Sequence, residues 1–367
     1  MRKKILLISG SRADFYLLSS LKKELNKNRK FKLTFLLTGG ATKIKYKEVN
    51  KRENIKRINL KIYNDKKITT PKAISEIILK LSNYLNKNKY DLVILLGDRY
   101  EILGAAIAAH SFNIRIAHFH GGETTLGSKD NDYRNAITQL SNYHFVTCIK
   151  HEEKVKSIIS NNSKIFNVGS IGVDSIDKNS LLNRKEIEEK LKINLRDNIA
   201  LVTLHPETKN IINNQDITNL FSAIKSFPKI DFIFTYPGYD LGFKKIINKI
   251  QKNKNKNNIY IYKNLGQNLY YSLLNISSFV LGNSSSGIIE VPSFKKFTVN
   301  LGLRQKGRIY AKSVLHSDFN EKKIKYLIKR VMSRDLDKIK DVFKNPYHKK
   351  NTIKNSAKII NYLLNEK

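Results

Sequence analysis

The stretch HFHGGETTLGSKDNDYRNAI, from His118 to Ile137, gathers two histidines, a Gly-Gly pair and the carboxylates Glu123, Asp130 and Asp132 behind an apolar run. Such groups can exchange protons or bind a metal. His-x-His on a strand places His118 and His120 on one face, as a metal pair requires. His118, however, lies inside the apolar run, and no HExxH spacing accompanies it, so no metal site is expected. Asp98 in LLGDRYE joins Glu123 and Asp130 on neighbouring loops. Carboxylates gathered in a cleft raise one another's pKa and can serve as acid and base near neutral pH. Plainer roles stay open: Asp98 could pair with Arg99 or cap a helix, and Asp130 could cap the helix expected near Tyr133.

A second chemistry concerns anions. GNSSSGIIEVPSF, from Gly282, reads as strand, small polar turn and helix. Small residues let backbone N–H groups approach an anion, and a helix start adds its dipole. Ser284, Ser285 and Ser286 offer hydroxyls, and Glu290 further along could accept from a sugar hydroxyl. An ordinary Ser-capped helix start is the plainer account. Arg12, Arg99 and Arg304, with Arg308 nearby, sit in similar loops, and arginine holds phosphate oxygens in a fork. His205-Pro206 ends another apolar run; His205 reads as a buried structural histidine or as a site group. The absence of GxxxxGK[ST] and GxGxxG argues against a nucleoside triphosphatase or a nicotinamide enzyme.

These loops need elements to hold them. KKILLISG, FKLTFLLTGG, DLVILLGDRYE, IRIAHFH and FVTCI are short apolar runs, and the segments between them read as amphipathic helices, among them FYLLSSLKKELNK, KAISEIILKLSNYLNK, EILGAAIAAHSF and YRNAITQLSNYH. Lys43 to Thr70 is charged and irregular and predicts an excursion of weak structure. The pattern restarts with IALVTLHPE, DFIFTYPG, NIYIYKNLG, SFVLGNSSS and KFTVNLG. Strand–helix alternation predicts parallel sheets covered on both faces. Two doubly wound α/β domains are expected, with a charged linker near 170–195 and a closing amphipathic helix. Ligands of such sheets sit beyond the carboxyl ends of the strands. If the two domains face each other, GSRAD, GDRYE, HFHGGE, LHPET, TYPG and GNSSSG line one cleft, which points to an enzyme.

The chain has 367 residues and a net charge of +37. That charge suits nucleic acid or a membrane surface. The lysines are nevertheless spread through almost every segment, without interleaved aromatics or an RNA-binding signature. Compositional drift explains them better, and neither nucleic acid nor membrane is expected as a partner. An anionic small substrate remains favoured by the field. No apolar run reaches membrane-spanning length, and the N-terminal run is too short for a signal peptide. One cysteine, Cys148, excludes an intramolecular disulfide and a multi-thiolate zinc site. A cytoplasmic location is expected.

GSRADF, LLGDRYE, HFHGGETTLG, DNDYRNAIT, LHPET, GNSSSGIIEVPS and NLGLRQKGR, in that order, resemble the hydrolysing UDP-N-acetylglucosamine 2-epimerases of the sialic acid-pathway type. The resemblance runs from about residue 4 to 360. It implies two Rossmann-like domains in a glycosyltransferase-B arrangement with the active site in the interdomain cleft. Their bounds would be 1–175 and 190–345, with a helix over 350–367 packing back toward the first domain. It implies conversion of UDP-N-acetylglucosamine and water to N-acetylmannosamine and UDP, by elimination of UDP and hydration with inversion at carbon 2. No metal or redox cofactor is needed once the leaving diphosphate is held. Asp98, Glu123 and Asp130 resemble the family's acid–base carboxylates, and His205 the histidine facing the departing diphosphate. Arg12, Ser284, Ser285, Glu290 and Arg304 resemble the nucleotide-binding set. Two departures stand out. His120 replaces a carboxylate found in some relatives, which joins it to the candidates for the carbon-2 proton. Gly238 replaces the usual Asn after FTYP, which alters contacts to the sugar. A nucleotide-linked N,N'-diacetylbacillosamine, in legionaminic acid synthesis, is the alternative substrate; a noncatalytic nucleotide-sugar or nucleic-acid binder is the alternative of another class. A homo-oligomer, dimer or tetramer, is expected.

Overall fold

The first apolar run, KKILLIS, forms β1 (Lys3–Ser9), and its side chains alternate between two cores. Ile5 and Leu7 pack with Phe15, Leu18 and Leu21 on one face; Leu6 and Ile8 pack with Ala73, Ile77 and Ala105 on the other. A strand buried on both faces must be apolar throughout, which is why the run shows no polar alternation. The computed structural model describes residues 2–44, 54–60, 68–159, 164–207, 209, 212–238, 240–254, 258–333 and 335–366.

The chain divides into two units. One comprises Met1–Glu123, Asp130–Ser175 and Tyr347–Lys367; the other comprises Thr124–Lys129 and Ile176–Pro346. In the first, β1 is joined by β2 (Phe31–Leu37), β3 (Ile55–Arg57), β4 (Leu92–Leu96), β5 (Ile116–Phe119), β6 (Tyr143–Val146) and β7 (Lys164–Asn167). They form a parallel sheet in the order β3-β2-β1-β4-β5-β6-β7. Strand order reverses between β1 and β4, the position where doubly wound sheets open a crevice. The loops after β1, β4 and β5 therefore emerge side by side.

The second unit repeats the design with β8 (Asn198–Thr203), β9 (Ile230–Thr235), β10 (Ile259–Tyr262), β11 (Phe279–Gly282), β12 (Phe297–Leu301) and β13 (Val314–Ser317). Their order is β10-β9-β8-β11-β12-β13, all parallel. Ala200 and Val202 of β8 face Leu220, Ile224 and Ile328; Ile199 and Leu201 face Ile187, Leu191 and Leu273. The fold class is thus α/β with two Rossmann-like parallel sheets.

Four local expectations change. The stretch expected as a linker holds the Arg184–Leu191 helix, started by a reciprocal Asn183–Glu186 capping box and anchored by buried Ile187 and Leu191. The helix expected over YRNAITQLSNYH runs Asp130–Gln139, and its last two residues belong to β6. The helix expected after GNSSSG is only Ser286–Ile289, with Glu290 at its end and a 3₁₀ turn at Val291–Phe294; Pro292 cannot donate the hydrogen bond that would continue it. Within Lys43–Thr70 the short edge strand β3 is ordered, and residues 45–53 and 61–67 lie outside those described.

The closing helix, Thr352–Asn365, packs Ile360, Leu363 and Leu364 into the core of the first unit, with Leu18, Leu21 and Leu25. Asn28 Nδ2 donates to Asn361 Oδ1 at 2.7 Å, and Thr352 Oγ1 to the Val168 carbonyl at 2.6 Å. Each such fully buried aliphatic side chain contributes about 1.5–3 kcal/mol. Among the described residues no helix is long and apolar enough to cross a membrane.

Candidate active site

In the first unit β5 stops at Phe119 because His120 takes a left-handed conformation, φ 65°. That geometry costs a non-glycine residue about 1–2 kcal/mol. It is held by the His120 amide, which donates to the Phe145 carbonyl at 2.9 Å. The turn continues through Gly122, φ 77°, where a Cβ would stand 2.2 Å from the His151 carbonyl oxygen. The result brings Nδ1 of His120 to 3.1 Å from Oε1 of Glu123. A carboxylate beside Nδ1 favours the tautomer with its proton on that nitrogen, in which Nε2 is the acceptor. That Nε2 is buried and takes no hydrogen bond from the protein.

Asp98 follows β4 and pairs with Arg134, whose other nitrogen donates to the Glu123 carbonyl at 2.5 Å. The cation opposite Asp98 is thus Arg134, and the residue at the N-cap position of the Tyr100–Ser111 helix is Arg99, which makes no side-chain cap there. Asp130 opens the Asp130–Gln139 helix as its first residue, three before Tyr133. Arg99 turns its guanidinium onto buried Glu101, at 3.1 and 3.3 Å, and lies over the Tyr100 ring. Arg12 starts the Arg12–Leu25 helix, half-buried.

His118 parts from His120. Its Nε2 lies 2.8 Å from the Gly97 carbonyl and its Nδ1 3.1 Å from Thr138 Oγ1. A carbonyl only accepts, so Nε2 carries the proton and Nδ1 accepts from the hydroxyl. Burial pushes this histidine down to about 3, so it is neutral and structural. Because His120 has left the strand conformation, the two rings do not form the pair that strand alternation suggested. Among the described residues no group of three or more His, Cys, Asp or Glu is placed to hold a metal ion.

The second unit builds a different site. The His205 amide donates to Asn283 Oδ1 at 2.6 Å, and Asn283 Nδ2 returns a bond to the His205 carbonyl at 2.9 Å. The loops after β8 and β11 are thereby locked together. The Asn283 carbonyl accepts from Arg304 Nη1 at 3.2 Å and Gln305 Nε2 at 2.9 Å, which adds the loop after β12. Glu207 supports that loop by accepting from the amides of Leu303 (2.9 Å) and Arg304 (3.1 Å). Gly302 beside it, φ 72°, has no room for a Cβ, which would stand 2.3 Å from Glu207 Oε1. The Gly238 amide donates to His205 Nδ1 at 3.0 Å, so the neutral ring carries its proton on Nε2 and offers it as a donor. Ser284, Ser285 and Ser286 are half-buried on the same loop. Ser284 Oγ accepts from the Ser286 amide at 3.4 Å. Ser285, the residue before the helix, makes no side-chain cap. Glu290 is buried at the end of the short helix.

The model of the UDP-N-acetylglucosamine 2-epimerase family matches residues 23–363. The chain belongs to that family. Among its curated relatives, the GDP/UDP-N,N'-diacetylbacillosamine 2-epimerase (hydrolyzing) of Campylobacter jejuni is 34% identical over 87% of this chain and 85% of the relative. The polysialic acid biosynthesis protein P7 of Escherichia coli is 32% identical over 100% of this chain and 95% of the relative. Among solved structures, that of a UDP-N-acetylglucosamine 2-epimerase from Listeria monocytogenes superposes with a TM-score of 0.82 at 17% identity, covering 100% of this chain and 98% of that one. The likeness at that identity concerns the fold.

For this member of the epimerase family the structure adds residues that sequence reading did not single out. Asn283 and Glu207 lie within quoted motifs, but their contacts join loops from β8, β11 and β12 that are distant in sequence. Arg134 lies one helical turn after Asp130, and the structure carries its guanidinium to Asp98 and the Glu123 carbonyl. No linear spacing marks that contact.

Proposed function

We propose that this epimerase is of the hydrolysing type and converts UDP-N-acetylglucosamine and water to N-acetylmannosamine and UDP. The observation that carries the reading is His120: a strained, buried imidazole with a carboxylate at Nδ1 and an unclaimed Nε2. A base of that kind suits removal of a carbon-bound proton. His120, oriented by Glu123, takes the proton from carbon 2 while the bond from carbon 1 to the diphosphate breaks. Asp98 and Asp130 serve the same acid–base centre, with Asp98 fixed by Arg134. In the second unit His205, with a proton on Nε2, and Arg304 meet the negative charge that grows on the leaving diphosphate. Arg12 and the serines 284–286 complete the nucleotide contacts, and Glu290 accepts from a sugar hydroxyl. Arg99 is left to position the first unit's loops, since it already holds Glu101.

Water then adds to the unsaturated intermediate, and inversion at carbon 2 gives the manno sugar. The test is incubation with UDP-N-acetylglucosamine in deuterated water, with phosphorus NMR for UDP and proton NMR for the sugar. The reading expects UDP, N-acetylmannosamine and one solvent deuterium at carbon 2; retained gluco configuration, or no UDP, would end it. The second reading, hydrolytic epimerisation of nucleotide-linked N,N'-diacetylbacillosamine, is favoured by the 34% identical relative. Comparing kcat/KM for the two sugars decides between them.

A further inference from the structure

Asp14 stands outside every role assigned so far. It is the third residue of the Arg12–Leu25 helix, and its amide donates to Ser11 Oγ at 3.2 Å. Ser11 in turn hydrogen-bonds the Asp14 carboxyl, an arrangement that closes a helix start and leaves one oxygen over. That oxygen, Oδ2, is buried and takes no hydrogen bond from the protein. A buried carboxyl oxygen without a partner is costly and needs an explanation.

Its position supplies one. Asp14 follows β1, Arg99 follows β4 and His120 follows β5, and these three strands are neighbours in the sheet. Two strand spacings, about 9.5 Å, separate β1 from β5, so groups on the loops that follow them can face each other across a gap of the order, about 6.5–9.5 Å, that inverting glycosidases leave between their acid and base. Both ends of the gap carry an unclaimed atom, Oδ2 of Asp14 and Nε2 of His120. Their characters are opposite. With Glu123 beside the far nitrogen, Nε2 is the favoured acceptor of the ring. Burial raises the Asp14 pKa, and the nearby Arg99, Ser11 and His120 offset that only in part, so Asp14 tends to keep its proton. Glu101 neutralises Arg99, and neutral His118 lies behind His120.

Inversion at carbon 2 needs one group to take a proton and another, on the opposite face, to return one. We propose that Asp14 is the acid that protonates carbon 2 after His120 has removed the original proton. The proposal rests on the epimerase reading above. In the first step the carbon-2 proton passes to His120 Nε2. The electron pair it leaves forms the double bond between carbons 1 and 2, and UDP departs with the pair of the carbon 1–oxygen bond. In the second step the double-bond pair takes the proton from Asp14 Oδ2 to carbon 2. The oxygen of water bonds carbon 1, the proton that water loses restores the Asp14 carboxyl, and the imidazolium releases its proton to solvent.

The experiment compares wild type, Asp14→Asn and Asp14→Ser with UDP-N-acetylglucosamine, reading UDP by phosphorus NMR and the sugars by proton NMR, with circular dichroism as a check on folding. The variants are expected to accumulate the 1,2-unsaturated sugar, with its ratio to hydrated sugar at least tenfold above wild type. His120→Gln, by contrast, is expected to lose UDP release and show no unsaturated sugar. An unchanged ratio in both Asp14 variants, an equal loss of UDP release and hydrated sugar, or loss of folded protein in both would each overturn the assignment. Wild type that releases UDP and takes deuterium at carbon 2 while the variants keep its ratio sinks Asp14 alone. Wild type that does neither sinks the epimerase reading itself.

Discussion

Arg134, with 1% of its side chain exposed, binds Asp98 through one nitrogen and the Glu123 carbonyl through another, at 2.5 Å. One guanidinium thus sets the spacing of the loops after β4 and β5. A fork can do this and an ammonium cannot, because Lys offers a point charge in place of two fixed donors. Arg134→Lys is therefore expected to cut turnover at least tenfold. Arg134→Ala, which strands Asp98, is expected to cost about 3 kcal/mol, the low end for a broken buried pair, since Asp98 keeps 22% exposure. Urea unfolding of both variants beside their steady-state rates checks this. Two variants with wild-type rates would show that the bridge does not place the loops.

His118 provides a pH prediction. Its folded pKa is about 3, against an ordinary 6.5, because burial disfavours the charged ring; buried His144 lies at about 4. Between those values and 6.5 the unfolded chain binds more protons than the folded one. Stability is therefore full above about 6.5 and is lost as the pH falls through that window. His118→Asn removes one titrating group, so the plot of unfolding free energy against pH from 6.5 to 4 should lose up to one proton of slope. An identical slope would mean that His118 is protonated in the folded protein.

Gly238 is not demanded by the backbone. A Cβ there would meet Asp240 Oδ2 at 3.5 Å and His205 Nδ1 at 3.7 Å, both ordinary contacts. The position can therefore accept a side chain while its amide still serves His205. Gly238→Asn is expected to change stability by no more than about 0.5 kcal/mol and to shift the KM ratio of UDP-N-acetylglucosamine to the diacetylbacillosamine nucleotide at least fivefold. Calorimetric melting and initial rates on both substrates decide it. An unchanged ratio would remove Gly238 from sugar selection.

The strands that carry the site were legible because each is buried on both faces and so has to be an unbroken apolar run, as in LVILL of β4 and FVLG of β11. The edge strands β7 and β13 escaped. Lys164 and His316 are exposed within them, and a strand covered on one side has no need of a continuous apolar signal. Asp98, Glu123, Asp130 and His205 could be nominated from type and loop position. Their partners could not, since Arg134, Asn283 and Glu207 act across loops from other strands. Asp14 was hidden by its neighbour: in GSRADF the arginine offers an obvious anion contact, and a Ser-x-x-Asp spacing has a sufficient account as a helix cap.

Glu207 tests the second unit. Its carboxylate accepts from the amides of Leu303 and Arg304, and so holds the loop that carries the Arg304 guanidinium to the Asn283 carbonyl. Glu207→Ala removes that support. UDP affinity, measured by calorimetry, is expected to fall about tenfold, roughly 1.4 kcal/mol, while turnover at saturating substrate changes far less. The carboxyl also has a pH signature. Burial raises its folded pKa above the ordinary 4.5, the two amides only partly opposing this. Just above pH 4.5 the folded protein therefore holds more protons than the unfolded chain. Stability from this group is greatest below 4.5 and declines as the pH rises toward the folded value. Glu207→Gln keeps an oxygen for both amides and cannot ionise, so it should abolish that decline and bind UDP as wild type does. Glutamine that weakens UDP as much as alanine would show that the negative charge, and not the acceptor, holds the loop.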